Sequence, residues 1–251
     1  YGRLRKIAIK GVLFLIIDSL YSNYDMKTPS EKVAKEMLKD VLFGTNNREQ
    51  AIFVTTFASH IARLKSITEF GEKLGRKIVF LGRSLAKYTL AAQNAGIINF
   101  DGVEIVGYSS KVKRKLKEIE NKREKYLVVC TGNQAEPGAI LTRIGRNELP
   151  FKFTKHDHVI FSCRTIPTEI TVKNREILEK SLKQKSVRIF TNIHQSGHAA
   201  REDHRDMINL LKPKNIIPTH GDKSITKGLV NYKSFGKDKE PSPGTISKTF
   251  P

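Results

Sequence analysis

Apolar positions fall in short dense runs separated by longer stretches with helical spacing, and the two alternate along most of the chain. Residues 3–10 (RLRKIAIK) mix basic and apolar positions like the end of a helix. Residues 12–17 (VLFLII) form a continuous run whose length and β-branched content predict a fully buried strand, with Asp18 at its carboxyl end. Thr28-Pro29-Ser30-Glu31 reads as a helix start, with a hydroxyl cap, Pro in the first turn and an early acid. That helix continues with Val33, Met37 and Val41 on one face. Strands then follow at 51–55 and 77–81 and helices at 58–74 and 84–95, the alternation of βαβ units on a parallel sheet. Residues 111–125 (KVKRKLKEIENKREK) read as a charged helix with a solvated face rather than a specific site. Further strands are expected at 126–131, 158–162 and 187–191, with a helix over 174–183. From about residue 226 the chain gains Pro, Gly, Ser and Lys and loses periodicity, as a loose tail does.

The segment 194–222 carries the densest chemistry. His198 follows a Ser196-Gly197 turn, an amphipathic helix comes next, and the apolar run Ile216-Ile217-Pro218 ends in Thr219-His220-Gly221-Asp222. An imidazole at a strand's carboxyl end sits where open α/β sheets bind ligands, and it serves as metal ligand or acid/base. Asp18 ends its own strand in the same way, although a lone Asp or His there is more often a cap or loop residue. Other expected strand ends carry small and hydroxyl residues: Thr55 to Ser59, Gly82-Arg83-Ser84, Thr131-Gly132-Asn133, Ser162-Cys163-Arg164 and His194. Such junctions can hold phosphate at helix N-termini, and each is also an ordinary cap. His156-Asp157-His158 resembles a ligand pair but reads as a solvent-exposed turn before a strand.

Charge sharpens this picture. The 251 residues include 45 Lys and Arg against 25 Asp and Glu, a net charge of +20. That field suits a polyanion such as nucleic acid, with a solubility surface as the bland alternative. Cys130 and Cys163 are isolated in apolar runs, as in a reduced, intracellular protein, and no run is long enough to span a bilayer.

Taken together, Ser196-Gly197-His198-Ala199, the helix, and Leu211 to Asp222 resemble the β-CASP branch of the metallo-β-lactamase superfamily, and within it the ribonuclease J group, especially its archaeal members. The resemblance extends to about residue 228 and includes Asp18-Ser19, Thr28 to Glu31, Thr55 to Ser59, Gly82-Arg83-Ser84, Thr131 to Pro137 with Arg143-Ile144, and Ser162 to Pro167. It implies an α/β fold: a partial metallo-β-lactamase αββα sandwich (residues 1–31 and 191–228) with an inserted β-CASP domain of parallel βαβ units (32–190) and an irregular tail (229–251). It implies two zinc ions (Zn2+), with Asp18 as bridging carboxylate and His220 as terminal ligand. Glu31 would orient a catalytic group and His198 would contact the scissile phosphate. Ser59, Arg83, Ser84, Gly132, Asn133, Ser162, His194 and Ser196 would line a pocket for phosphate and RNA.

The implied activity is cytoplasmic 5′-to-3′ exonucleolysis of 5′-monophosphorylated single-stranded RNA, with endonucleolysis as a further capability. The candidate assemblies are a homodimer or an RNA-decay or ribosome-associated complex, with no membrane partner. A cleavage-and-polyadenylation-like endonuclease and a non-catalytic RNA-binding relative are the alternatives. The branch's H-x-H-x-D-H motif is absent, and Asp18-Ser19-Leu20 stands where Asp-Ser-Thr is usual. The start at Tyr1 favours a later portion of a longer enzyme, expected to be inactive alone, over a degenerate relative.

Overall fold

The structure, a computed structural model, describes residues 2–221 together with Ile225 and Leu229. Asp222 and the tail expected over 229–251, apart from Leu229, lie outside the described residues. The chain divides into two units, one built from residues 1–29 and 196–251 and the other from residues 30–195. The sequence places these borders at 31/32 and 190/191 instead, because the last strand of the larger unit and the segment after it are too short to show their allegiance.

In the first unit a two-stranded parallel sheet joins β1 (Phe14–Asp18) to β8 (Asn215–Thr219). Helix α1 (Gly2–Ile9) lies against α8 (Arg201–Leu211). Lys212 closes α8 in a left-handed conformation (φ 46°), and Pro213 follows. The expectation of a fully buried β1 is corrected. Phe14 is 55% and Ile16 67% exposed, because β8 is its single sheet neighbour among the described residues.

The second unit is a six-stranded sheet in the order β4-β3-β5-β2-β6-β7, parallel throughout. Its strands are β2 (Ile52–Thr55), β3 (Lys77–Leu81), β4 (Val103–Val106), β5 (Tyr126–Cys130), β6 (His158–Phe161) and β7 (Arg188–Phe190). Alternate residues feed two separate cores. Phe53, Val79, Val128 and Val159 face α5 (Ser109–Asn121), α6 (Ile140–Gly145) and α7 (Glu169–Gln184). Ile52, Val54, Phe80 and Val129 face α2 (Glu31–Gly44), α3 (Ile61–Lys73) and α4 (Arg83–Asn94). With both faces covered, the central strands read as unbroken apolar runs. Every carboxyl end consequently lies on one edge of the sheet.

Three local expectations change. The buried stripe of α2 is Ala34, Leu38 and Leu42, one residue beyond Val33, Met37 and Val41, because Ser30 is the cap and Pro29 precedes it. His158 is not in an exposed turn: it opens β6, is 1% exposed, and packs edge-on against Phe190. Strand β4 and helix α6 carry too few residues for periodicity to reveal them.

Candidate functional site

The first unit gathers Asp18, His198 and His220, each for a local reason. The β1–β8 register sets Asp18 opposite Thr219, so the next residue, His220, projects beside it. Ser19 locks that register by donating its N–H and its hydroxyl to the Thr219 carbonyl at 2.8 and 2.7 Å. His220 itself turns with a positive φ of 58°. His198 is held before α8: its N–H donates to Ser196 Oγ at 3.1 Å, and its carbonyl accepts from Thr28 Oγ1 at 2.9 Å. Asp203 then accepts from the Thr28 N–H at 2.8 Å, tying the helix start to the chain before α2.

The result is a cluster around one carboxylate. Asp18 Oδ2 lies 2.5 Å from His198 Nδ1 and 3.5 Å from His220 Nδ1. Partial burial pushes the Asp18 carboxyl up, but the Leu20 N–H, the His198 contact and His220 outweigh it and hold the group below its ordinary value. The three donor atoms lie within 4.8 Å of one another. Tetrahedral zinc ligands sit about 3.4 Å apart at normal bond lengths, so donor type and spacing fit a borderline divalent cation after small side-chain adjustment. They fit one such ion; the described residues bring no further His, Cys, Asp or Glu into this cluster.

The carboxyl edge of the six-stranded sheet forms a second assembly. Its centre is Arg63 of α3, which is fully buried. The guanidinium donates to both Glu31 oxygens at 2.6 and 2.8 Å, and to Ser162 O, Ser162 Oγ and Ile193 O at 3.1, 2.6 and 2.9 Å. One cation thereby ties the start of α2 to the ends of β6 and β7. His60 stands 3.7 Å from Glu31. His194 is pushed down to about 4 by burial, then by the charges of Arg63 and His60. It therefore stays neutral at physiological pH, and its buried Nδ1 has no hydrogen-bond partner.

The remaining expected residues divide by exposure. Ser59, Arg83 and Ser84 are exposed on this edge. Gly132 has φ 121°, and a Cβ there would meet Leu141 Cβ at 2.9 Å, so the backbone itself demands glycine. Asn133 is 7% exposed, and its amide Nδ2 lacks a partner. Ser162 corrects the expectation of a pocket-lining hydroxyl: it is fully buried, donates to Ile193 O at 2.9 Å and accepts from Arg63. Sequence reasoning missed Arg63 altogether. The available signal was an arginine inside the apolar stripe Ile61, Leu64, Ile67 of α3, where a charge survives only with partners.

Both sheets are parallel, and the His/Asp cluster belongs to the unit that flanks the six-stranded one in sequence. A family profile described as "Ribonuclease J, beta-CASP domain" matches residues 49–179, and one described as "Zn-dependent metallo-hydrolase RNA specificity domain" matches residues 185–237. The chain belongs to the ribonuclease J β-CASP family. It is 45% identical over 228 residues to ribonuclease J of Methanocaldococcus jannaschii, covering 90% of this chain and 51% of that protein. With ribonuclease J of Pyrococcus abyssi it shares 44% identity over 239 residues, 95% of this chain and 52% of the relative. Against ribonuclease J of Sinorhizobium meliloti the identity is 31% over 230 residues, 88% and 38% of the two chains. The chain thus spans about half the length of the first two relatives. No helix among the described residues is long and apolar enough to cross a membrane.

Proposed function

We propose that this chain contributes the β-CASP domain and part of the metal site of a zinc-dependent ribonuclease acting 5′-to-3′ on 5′-monophosphorylated single-stranded RNA in the cytoplasm. The observation that carries this reading is the convergence of Asp18, His198 and His220 in a chain of the ribonuclease J family. Zinc bound there would supply Lewis acidity, neutralising phosphate charge and lowering the pKa of a coordinated water.

The chain's own residues have separable tasks. Asp18 engages His198 through Nδ1, which leaves Nε2 as the ring nitrogen available to a phosphate oxygen or leaving group. His220 completes the donor set. Asn133 and His194, with partnerless buried nitrogens at the sheet edge, support a phosphate-binding role for that edge, joined by Gly132 and the exposed Ser59, Arg83 and Ser84. Glu31 acts as a positioning acid fixed by Arg63. With His198 assigned to the phosphate, Asp18 and His220 are too few donors for a zinc pair, so the chain alone is expected to be inactive, and a dimer or larger decay complex belongs to the whole protein.

The native protein carrying this sequence provides the test. It should degrade 5′-monophosphorylated RNA faster than 5′-hydroxyl RNA and lose activity in chelator. Equal, chelator-insensitive decay of both substrates would overturn the reading.

A further inference from the structure

Helix α5 looks from sequence like a solvated charged surface, yet it forms one wall of a groove of about 710 Å³ whose other wall is the segment 147–152. Lys113, Arg114, Lys117 and Lys152 line this groove, and all four are exposed. None of them forms an ion pair among the described residues. Two acids, Glu120 and Glu148, share the lining. Glu148 contacts Arg143 and Arg146 at 3.3 and 3.9 Å, and Glu120 accepts the backbone N–H of Lys152 at 2.8 Å. Lys115, by contrast, is fully occupied by Glu104 and Glu118 at 2.7 and 2.6 Å. The helix has therefore sorted its lysines: one is spent on structure, and in the groove lining four cations outnumber the two acids.

The placement of this charge gives it a direction. α5 runs from the end of β4 to the start of β5, so its N-terminus lies at the carboxyl edge of the sheet and its C-terminus at the amino edge. At the N-terminus Gly107 packs so closely that a Cβ would stand 3.1 Å from Ala86 and 3.9 Å from the Arg83 backbone. Tyr108, 74% exposed, is the next residue and offers a stacking face. Lys113 and Lys117 then follow about 6 Å apart along the helix axis, a spacing suited to successive phosphates of an extended strand.

We infer that the α5 groove is a second RNA contact, a track holding the phosphate backbone of single-stranded RNA as it leaves the carboxyl edge of the sheet. The occupant follows from charge complementarity, since the excess of exposed cations over acids in the lining suits a phosphate backbone. The inference rests on the proposed RNA substrate and adds a path for it. It also explains part of the net charge of +20 that a catalytic pocket alone would not need.

Fluorescence anisotropy on the full chain, in chelator, with 5′-labelled U6 and U24 oligonucleotides tests the track. A K113Q/R114Q/K117Q/K152Q variant should bind U24 at least about tenfold more weakly, hold U6 nearly unchanged, and lose about 3 from its log–log salt slope. A charge-matched variant on other surfaces, K32Q/K39Q/K180Q/K183Q, should change far less. Equal losses in the two variants would overturn the track while leaving the proposed substrate standing. Displacement of U24 by polyglutamate as readily as by unlabelled RNA would overturn it in favour of an acidic protein partner. Failure of the unsubstituted chain to bind either RNA would overturn both readings.

Discussion

Replacing Arg63 by Met keeps the side chain's length and removes its guanidinium, which makes it a clean probe of what holds the carboxyl edge together. Five hydrogen bonds disappear, but they do not count equally. The Ser162 carbonyl still accepts from Thr56 Oγ1, and the Ile193 carbonyl still accepts from Ser162 Oγ, both at 2.9 Å. Neither acceptor is orphaned, so the full penalty for a buried unpaired carbonyl is not incurred. The Glu31 side chain is 31% exposed and can recover water, which limits the ion pair to about 1 kcal/mol. The bonds from Nη1 run from a charge to fully buried acceptors and contribute roughly 2–3 kcal/mol together. The expected loss is therefore roughly 3–4 kcal/mol, a fall in Tm of roughly 10 °C for a chain of this size. Urea unfolding followed by circular dichroism measures it, and a cycle with Glu31→Gln should return a coupling near 1 kcal/mol. Arg63→Lys should recover little of the loss, since an ammonium cannot span the fork. A total loss below 1 kcal/mol would refute the idea that one cation ties α2, β6 and β7.

Other expectations are as direct. Gly132→Ala forces a side chain onto φ 121° and into Leu141, and should cost roughly 1–3 kcal/mol in chemical denaturation with no RNA present; an unchanged midpoint would deny the backbone requirement. His158 is pushed down to about 4 by burial and then by the charges of Arg188 and Arg76. The unfolded chain binds the proton more tightly, so this contribution is complete above about pH 6.5 and declines as pH falls towards 4. Between pH 7.5 and 5 it should amount to on the order of 1–2 kcal/mol, and His158→Gln should flatten the pH dependence; identical slopes would sink the assignment. Asp18→Asn should weaken zinc binding by more than about a hundredfold in competition with a chromophoric chelator, beyond what outer-shell changes produce. In the native protein His198→Ala should abolish cleavage and leave most RNA binding; retained cleavage would remove His198 from the mechanism.

Much of the architecture is legible in the sequence because its cause is local. Ile52 to Thr55 and Lys77 to Leu81 are dense apolar runs between helical segments, and only a sheet covered on both faces needs them. The meeting of His198 and His220 at Asp18 was legible differently, through the resemblance of their flanking motifs. What stayed hidden depends on partners distant in the chain. The exposure of Phe14 and Ile16 reflects how few strands flank β1, which no property of the run 12–17 records. Ser162 looked like a pocket hydroxyl because the arginine that consumes it sits 99 residues earlier. Lys115 looked as solvated as its α5 neighbours because one of its two acids, Glu104, lies on β4.

The pairing of β1 with β8 also constrains when the molecule can become chemically competent. Residues 30–195 are contiguous, so the six-stranded unit can fold during synthesis once its last strand has emerged. The cluster at Asp18 cannot: its partners lie 180 and 202 residues downstream, a loop closure that comes late and slowly. A ribosome-bound nascent chain would thus present a folded six-stranded domain while Asp18, His198 and His220 were still apart.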